Sequence, residues 1–354
     1  MRDSSKQQIE AFIAQLLASK SAQAQAIGPA YADLLEQIAV LIARGGKRMR
    51  PELVIRAYTA YGGKKSDAII PVAASQELFH AFILVHDDII DRDVVRWGGP
   101  NISGHYYEEL RKTIKDSEAH HYANAWALLA GDICHNLSHE VLLASDFPAT
   151  DLLRAAALVH QTTFSVVGGE LADTALPLGT TWEETDDDTH LLHVSQTKTA
   201  AYSFSTPLQL GALLAGASQP QLDQLERFGA HIGTAFQLRD DILGIFGDEQ
   251  RLGKSTLSDI REGKRTLLMS YGLRLSSQTD RQKLLDILGN PLATRVQLNS
   301  VQQILQKNGA HTKVEALIGD YCAAAVTVLQ EVGMPVQLKT YLTELVLYCG
   351  KRWQ

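Results

Sequence analysis

The chain has 354 residues, with 33 Lys and Arg against 40 Asp and Glu, so its formal net charge is −7. Hydrophobic residues make up 45% and charged residues 21%, which is ordinary usage for a folded protein and excludes a disordered chain. The acidic balance argues against general binding to nucleic acid or to anionic membranes, because both favour a basic surface.

The cysteines and the first residues indicate the compartment. Cys134, Cys322 and Cys349 lie far apart and form no CxxC pair, which argues against a disulfide framework or a structural zinc site. The N-terminus lacks the basic-then-apolar pattern of a signal peptide. No apolar run approaches the roughly 20 residues of a spanning helix. We therefore expect a cytoplasmic protein without stable membrane insertion.

The predicted elements are almost all helices. Between the prolines lie Ala- and Leu-rich stretches with apolar residues at three- and four-residue spacing, whereas alternating segments typical of strands are missing. Helix starts are predicted at 66–67, at 150–151 and within 185–189. Because no repeat and no flexible linker interrupts the chain, the sequence predicts one all-α domain over 1–354.

The first motif in chain order is a basic, Gly-rich turn at 45–50. Its two glycines let the backbone approach an anion, and Lys47, Arg48 and Arg50 can pair with phosphate oxygens. The GxxxxGK[ST] spacing of a P-loop is absent. Taken alone, the turn is more typical of a solvated surface loop.

The second motif is an acidic cluster in an apolar helix. Asp87 and Asp91 in HAFILVHDDIID are four residues apart, with Asp88 between them, so two carboxylates share one helix face. Hard cations such as Mg²⁺ take carboxylate and phosphate oxygens. His80 lies on the same face, seven residues earlier. The alternative is a solvated acidic helix end.

A second acidic cluster follows in FQLRDDILGIFGD. Asp240 and Asp241 lie among apolar residues, while the four-spaced position is Gly244. The next segment, GKSTLSDIREGKRT, adds Lys254 and Lys264. Two acidic helices that hold Mg²⁺ against a diphosphate would be one way to place metals in a helical bundle. The alternative is again a set of helix-end charges.

These motifs, in this order and together with the pair at 198–199, resemble those of the trans-isoprenyl diphosphate synthases, the polyprenyl synthetase family. The resemblance covers about residues 40–270. It implies the isoprenoid synthase fold, a single-domain helical bundle around a central apolar cavity, and usually a homodimer. It also implies a Mg²⁺-dependent, head-to-tail condensation of isopentenyl diphosphate with dimethylallyl, geranyl or farnesyl diphosphate.

The resemblance also implies a role for each matching residue. Metal binding falls to the aspartates of the two acidic motifs, Asp87, Asp88, Asp91, Asp240 and Asp241. The allylic diphosphate is held by Arg96, Lys198, Lys254 and Lys264, and isopentenyl diphosphate by Lys47, Arg50 and His80. The residues at the reacting centre are Lys198, Thr199 and Gln237.

Three positions depart from the family pattern. Trp97 stands where the family has a second arginine for isopentenyl diphosphate, Gly244 replaces the last aspartate of the second motif, and Glu170 replaces a frequent glutamine. Trp97 cannot pair with phosphate, so this pocket is expected to be differently built. No aspartate of the first motif is lost, and an active enzyme is expected.

Product length in the family depends on bulky residues before the first acidic motif. Here Phe82 and Ile83 lie five and four positions before it, with Phe79 one turn earlier. A single aromatic at the fifth position resembles geranylgeranyl-forming members; farnesyl or longer products, or simple core packing, are the alternatives.

Two rival functions are separable by motif. A class I terpene cyclase would lack the GGKRMRP turn and the RDDILG motif. A non-catalytic subunit of a heteromeric synthase would have lost ligands, and only Trp97 and Gly244 favour it.

Overall fold

A computed structural model describes residues 3–179, 188–249 and 255–351. Over these residues the regular secondary structure is helical apart from one two-stranded hairpin, which confirms the all-α prediction. The chain divides into two compact units, 1–156 and 157–354. The prediction of one domain around a central cavity stays a prediction.

The first unit contains six complete helices and the hairpin. The strands are antiparallel, with Val95 opposite Pro100 and Arg96 opposite Gly99. The elements are α1 (Asp3–Ile27), α2 (Pro29–Arg44), α3 (Met49–Ala60), α4 (Ser66–Ile90), β1 (Val95–Arg96), β2 (Gly99–Pro100), α5 (Ile102–Leu110), α6 (Asp116–Leu143) and the start of α7 (Ala149–Gly179).

Helix α4 is the core helix of this unit. It packs along α6, which presents a stripe of buried alanines at helical spacing, and a Cβ added at Gly131 of α6 would lie 2.2 Å from the ring of His86. Small residues therefore let the two helices approach closely. Within the described residues, α4 alone is long and apolar enough to cross a membrane, and 61% of that stretch is buried inside the protein, as in a core helix.

The second unit contains the rest of α7 and all later elements. They are α8 (Asp188–Ser195), a π-helix (Gln196–Ser205), α9 (Thr206–Leu214), α10 (Gln219–Phe246), α11 (Ser258–Glu262), α12 (Leu267–Leu275), α13 (Gln278–Ile287), α14 (Arg295–Lys307), α15 (Ala310–Gln330) and α16 (Val336–Lys351). The helix starts predicted at 66–67 and 150–151 agree with those of α4 and α7 to within one residue, and α8 starts within the predicted window of 185–189.

The π-helix packs directly on α10. A Cβ added at Gly229 would lie 2.6 Å from the Ser205 Cα, and one added at Gly233 would lie 2.4 Å from the Ala200 Cα. Side chains at these two positions of α10 would push the elements apart. The i→i+5 hydrogen bonds of π-helices are rare and are frequently found at functional sites, and this π-helix contains Lys198.

Candidate active site

The first acidic motif lies at the C-terminal end of α4. The backbone N–H of Asp91 donates to the Asp87 carbonyl at 2.8 Å, so the last turn is regular. Asp87 and Asp91 therefore share one face, as their spacing predicted. The chain then passes through Arg92 into the hairpin, and Trp97 lies in the turn between the two strands. Arg92 and Trp97 adopt left-handed φ values of 57° and 51°.

Arg96 of the hairpin is bound to the first acidic motif. Its Nε donates to Asp88 Oδ1 at 2.7 Å, and its Nη2 contacts the same oxygen and lies 3.7 Å from Asp87 Oδ2. Asp88 is only 3% exposed. Burial raises the pKa of Asp88 to about 6, against the opposing effect of the Arg96 charge. Arg96, predicted to hold a diphosphate, is thus paired with Asp88.

The basic turn contains one structural arginine. Arg48 precedes α3 in a left-handed conformation with φ of 53°. Its Nη1 donates to Glu77 Oε1 at 2.6 Å and its Nη2 to the Ile42 carbonyl at 2.5 Å. Both members of the Arg48–Glu77 pair are buried. Arg48 therefore stabilises the turn, while Lys47 is exposed and Arg50 half-buried.

His80 lies within the field of these arginines. Burial lowers its pKa well below the ordinary value, and the positive charges of Arg50, Arg96 and Arg48 lower it further. The ring is therefore neutral at neutral pH. The structure thus places three residues predicted to bind substrate, His80, Arg50 and Arg96, within electrostatic reach of one another.

Trp97 packs on the Gly-rich turn. A Cβ added at Gly45 would lie 2.4 Å from Trp97 Cδ2, so the indole lies directly against the Gly45 backbone. Arg44 also donates to the Pro100 carbonyl and fixes the hairpin to the end of α2. The position that the family pattern fills with a phosphate-binding arginine is here a packing residue that joins the hairpin to the turn.

In the second unit, Lys198 is paired with two carboxylates of α7. Its Nζ lies 2.8 Å from Asp173 Oδ2 and 2.9 Å from Glu170 Oε2. A Cβ added at Gly169 would lie 2.6 Å from the Lys198 backbone nitrogen. A glycine at this point of α7 thus allows the π-helix to bring Lys198 to its partners. Glu170, one of the three departures from the family pattern, supplies one of those partners.

Three predicted residues form a hydrogen-bonded chain beside Lys198. Thr199 Oγ1 donates to Gln237 Oε1 at 2.7 Å, and Gln237 Nε2 donates to Asp241 Oδ1 at 2.9 Å. Burial raises the pKa of Asp241 to about 7, and the negative charges of Asp259 and two further aspartates add to this rise. The two further aspartates are Asp173 of α7 and Asp240 of α10, so carboxylates from three different helices act on Asp241.

Lys264 follows α11 and faces acidic neighbours. Its Nζ lies 3.2 Å from Glu262 Oε2 and 3.7 Å from Asp259 Oδ1. Lys254, the other predicted lysine of this segment, lies outside the described residues. Asp259 received no role from the sequence, although it lies in the SDIREGK stretch that pointed to Lys264.

The site residues have the donor chemistry that a hard divalent cation prefers. Among the described residues, no three His, Cys, Asp or Glu side chains converge to hold a metal ion by themselves. Mg²⁺ in phosphate-binding sites takes one or two carboxylates and completes its shell with phosphate and water oxygens. The paired carboxylates of each motif fit a cation shared in this way.

The residues predicted to limit product length form part of an aromatic cluster on α4 and α6. The Phe82 ring centroid lies 4.8 Å from that of His135, 4.9 Å from that of His86 and 5.6 Å from that of Phe79. Phe79 is buried in the core, whereas Phe82 and Ile83 are half-buried. Of the two phenylalanines, Phe82 is therefore the one that the core does not bury completely.

The chain is similar to curated prenyl diphosphate synthases. Geranylgeranyl diphosphate synthase of Sulfolobus acidocaldarius is 33% identical over 75% of this chain and 75% of its own length. The (2E,6E)-farnesyl diphosphate synthase of Mycobacterium tuberculosis is 33% identical over 87% of this chain and 80% of its own.

A solved structure covers nearly the whole molecule. Geranylgeranyl pyrophosphate synthase of Corynebacterium glutamicum, complexed with isoprenyl diphosphate and magnesium, has a TM-score of 0.91 at 29% identity and covers 99% of both chains. The sequence model of the polyprenyl synthetase family matches residues 32–305, well over half of the chain. The sequence motifs of the chain, its helical fold and its relatives thus agree. The chain belongs to the polyprenyl synthetase family of prenyltransferases.

Proposed function

We propose that the protein condenses isopentenyl diphosphate head to tail with an allylic diphosphate. The observation that supports this most directly is the helical face shared by Asp87 and Asp91, next to Arg96 and within the unit that also contains the basic turn. A diphosphate site needs both an acidic face for cations and separate cationic side chains. Both are present, which argues against the non-catalytic subunit.

The acidic residues of both motifs would hold Mg²⁺, namely Asp87, Asp88, Asp91, Asp240 and Asp241. Mg²⁺, when bound, neutralises charge that develops on the leaving diphosphate. The cationic side chains add to this stabilisation, because charge neutralisation in a water-poor site is usually the largest catalytic effect. Those assigned to the allylic diphosphate are Arg96, Lys198, Lys254 and Lys264.

The second substrate would bind at the basic turn. Lys47 and Arg50 would hold the diphosphate of isopentenyl diphosphate, and His80, which is neutral, would contribute a hydrogen bond rather than a charge. Trp97 would contribute packing, not phosphate binding. The pocket therefore relies on fewer cations than the family pattern provides.

The reaction breaks an allylic C–O bond and a C–H bond, and it forms a C–C bond and an O–H bond on the diphosphate. The allylic C–O bond breaks, the isopentenyl double bond attacks the allylic carbon, and the departing diphosphate accepts the proton that is lost. Lys198 would exchange Glu170 and Asp173 for the diphosphate, while Thr199 and Gln237 border the reacting carbon. An apolar surrounding would protect the allylic cation from water.

We propose geranylgeranyl diphosphate as the product. Phe82, on α4 one turn before the first acidic motif, packs its ring against His135 and His86 and would form the floor against which the growing tail stops. Farnesyl or longer products are the alternatives that chain-length analysis would distinguish.

Replacement of Phe82 by Ala should lengthen the product, because the floor would retreat toward His135. The measurement is product chain length by chromatography with each allylic substrate. Phe246→Ala, which removes a half-buried ring that packs on His311 in the second unit, is the matched control and should leave the length unchanged. An unchanged product in Phe82→Ala would place the floor elsewhere.

We also propose a cytoplasmic homodimer that uses α7. Phe164, Val167, Leu171 and Leu178 lie on one face of this helix, and their exposed fractions run from 54% to 89%. Contiguous apolar patches of this kind mark interaction sites. Sedimentation velocity of Phe164→Glu with Leu171→Glu should show a monomer, with Thr163→Glu as a neighbouring control; a dimer in the double variant would contradict this assignment.

The decisive experiment supplies purified protein with Mg²⁺, isopentenyl diphosphate and, in turn, dimethylallyl, geranyl and farnesyl diphosphate. A discrete elongated product supports the proposed reaction. Consumption of the allylic substrate alone would indicate a cyclase. No consumption would contradict the proposal and favour a subunit that needs a partner.

A further inference from the structure

The glycine in the second acidic motif has a specific neighbour. Gly244 is buried in α10, four residues after Asp240. A Cβ added at Gly244 would lie 1.9 Å from Asp259 Oδ2 and 2.9 Å from Asp259 Cγ. A side chain at position 244 and the observed position of the Asp259 carboxyl group therefore exclude each other.

The backbone around Asp259 fixes its position. The N–H of Gly289 donates to the Ile260 carbonyl at 2.8 Å. Arg261 donates from Nε and Nη2 to the Ala293 carbonyl at 3.1 and 2.9 Å. The short helix α11 is thus tied to the segment after α13, and Asp259, 9% exposed, is held against α10.

The surroundings of Asp259 are those of the second acidic motif. Its charge acts on Asp241, as do those of Asp240 and Asp173. Lys264, expected to bind diphosphate, has its Nζ 3.7 Å from Asp259 Oδ1. The carboxyl group lies within the cluster assigned to the cation and not on an unrelated surface.

We propose that Asp259 supplies, from α11, the third carboxylate of the second acidic motif, in the space that Gly244 leaves open. This inference rests on the proposed function and adds one residue to its cation site. Asp259 fits a cation site, because its carboxylate occupies the space that a side chain at position 244 would fill. Carboxylate oxygens are ligands that Mg²⁺ prefers. The carboxylate that the family pattern places at position 244 is then supplied by Asp259.

The test measures cation binding without turnover. Mn²⁺ replaces Mg²⁺, inorganic diphosphate is the second component, and the bound ions are counted by electron paramagnetic resonance on the full chain. Asp259→Asn should weaken Mn²⁺ binding in the presence of diphosphate by about 10- to 100-fold, the usual effect of removing a group that supports a metal site. Gly244→Ala should weaken it too, because it displaces the carboxylate.

Two further variants sharpen the test. The exchange variant Gly244→Asp with Asp259→Gly returns a carboxylate to α10 and should recover Mn²⁺ binding relative to Asp259→Gly. Asp223→Asn, an exposed aspartate on the same α10, should bind as the wild type does. Thermal unfolding of each variant separates loss of Mn²⁺ binding from loss of fold. If Asp259→Asn folds poorly, Gly244→Ala and the exchange variant test the inference in its place.

The outcomes distinguish this inference from the proposed function. If Asp87→Asn and Asp240→Asn weaken Mn²⁺ binding but Asp259→Asn does not, Asp259 is only the ion-pair partner of Lys264, and the inference is wrong. If none of the three weakens it, the cation site itself, and with it the proposed function, is wrong.

Discussion

The two acidic motifs manage their negative charge in different ways. In the first unit, the guanidinium of Arg96 is bound to the buried carboxylate of Asp88. In the second unit, Asp241 accepts a hydrogen bond from the amide of Gln237 and is surrounded by further carboxylates, while Lys198 is paired with residues of α7.

This difference predicts different behaviour before substrate arrives. At Asp88 the charge of Arg96 offsets part of the effect of burial on the pKa, whereas at Asp241 the neighbouring negative charges add to that effect. The first motif therefore has a cationic partner within the protein. The second gains more when a divalent cation relieves its repulsion.

The largest expected effect is on turnover and is common to both motifs. Asp87→Ala, Asp91→Ala and Asp240→Ala should each lower kcat by about 10²- to 10³-fold or more, the scale of losing one group that stabilises transition-state charge. Steady-state kinetics with folding checked by circular dichroism would measure this. Asp67→Ala, an exposed aspartate in the first turn of α4, is the control, and a near-normal rate in any of the three variants would remove that residue from the metal site.

Loss of the positively charged side chain should lower the free energy of unfolding more for Arg96, beside the first motif, than for Lys198, beside the second. Arg96→Met leaves Asp88 buried without its partner, and such losses cost about 3–5 kcal/mol. Lys198→Met should cost less, because its partner carboxylates are more exposed to solvent. Urea unfolding of the metal-free protein compares them. Asp88→Asn combined with Arg96→Met should recover part of the loss, and equal costs for Arg96→Met and Lys198→Met would contradict the proposed difference.

The hairpin of the first unit offers a smaller test. Gly45→Ala inserts a methyl group where the Trp97 ring lies, and such overpacking costs about 1–3 kcal/mol. The same change should be tolerated in a Trp97→Ala background. Gly319→Ala, at a helical position with nothing within 4 Å of the added carbon, is the control. A destabilisation that persists without the ring would show that the backbone, and not Trp97, requires the glycine.

The smallest expected effect concerns Glu249, a carboxylate of the second unit whose anionic form is stabilised by hydrogen bonds. Hydrogen bonds from the Thr256 backbone, Arg295 and the Thr256 and Ser255 hydroxyls hold the pKa of Glu249 at about 2, below its ordinary 4.5. Its stabilisation is therefore present above pH 4.5 and is lost as the pH falls from 4.5 toward 2. Between these values the wild type should lose more stability than Glu249→Gln in chemical unfolding; identical slopes would show that these hydrogen bonds do not favour the anion.

Local patterns predicted the helices and the shared face of Asp87 and Asp91, because both follow from helical periodicity. They could not predict which groups meet across the fold. The pairing of Arg48 with Glu77, the stacking of Trp97 on Gly45 and the insertion of Asp259 beside Gly244 each depend on contacts distant in sequence. Gly244 looked like a lost ligand for this reason: the side chain that fills its space comes from another helix.

The π-helix over Gln196–Ser205 has a consequence for tolerated insertions and deletions. It has one more residue in each hydrogen-bonded turn than an α-helix has. An insertion or deletion between 200 and 205 that the π-helix did not absorb by changing its hydrogen bonds would rotate Lys198 and Thr199 relative to α9 by about 100° per residue. Lys198 would then lose Glu170 and Asp173, and Thr199 would lose Gln237, although no side chain of the site had been changed. The length of this segment is therefore as much a determinant of the site as the identity of its residues.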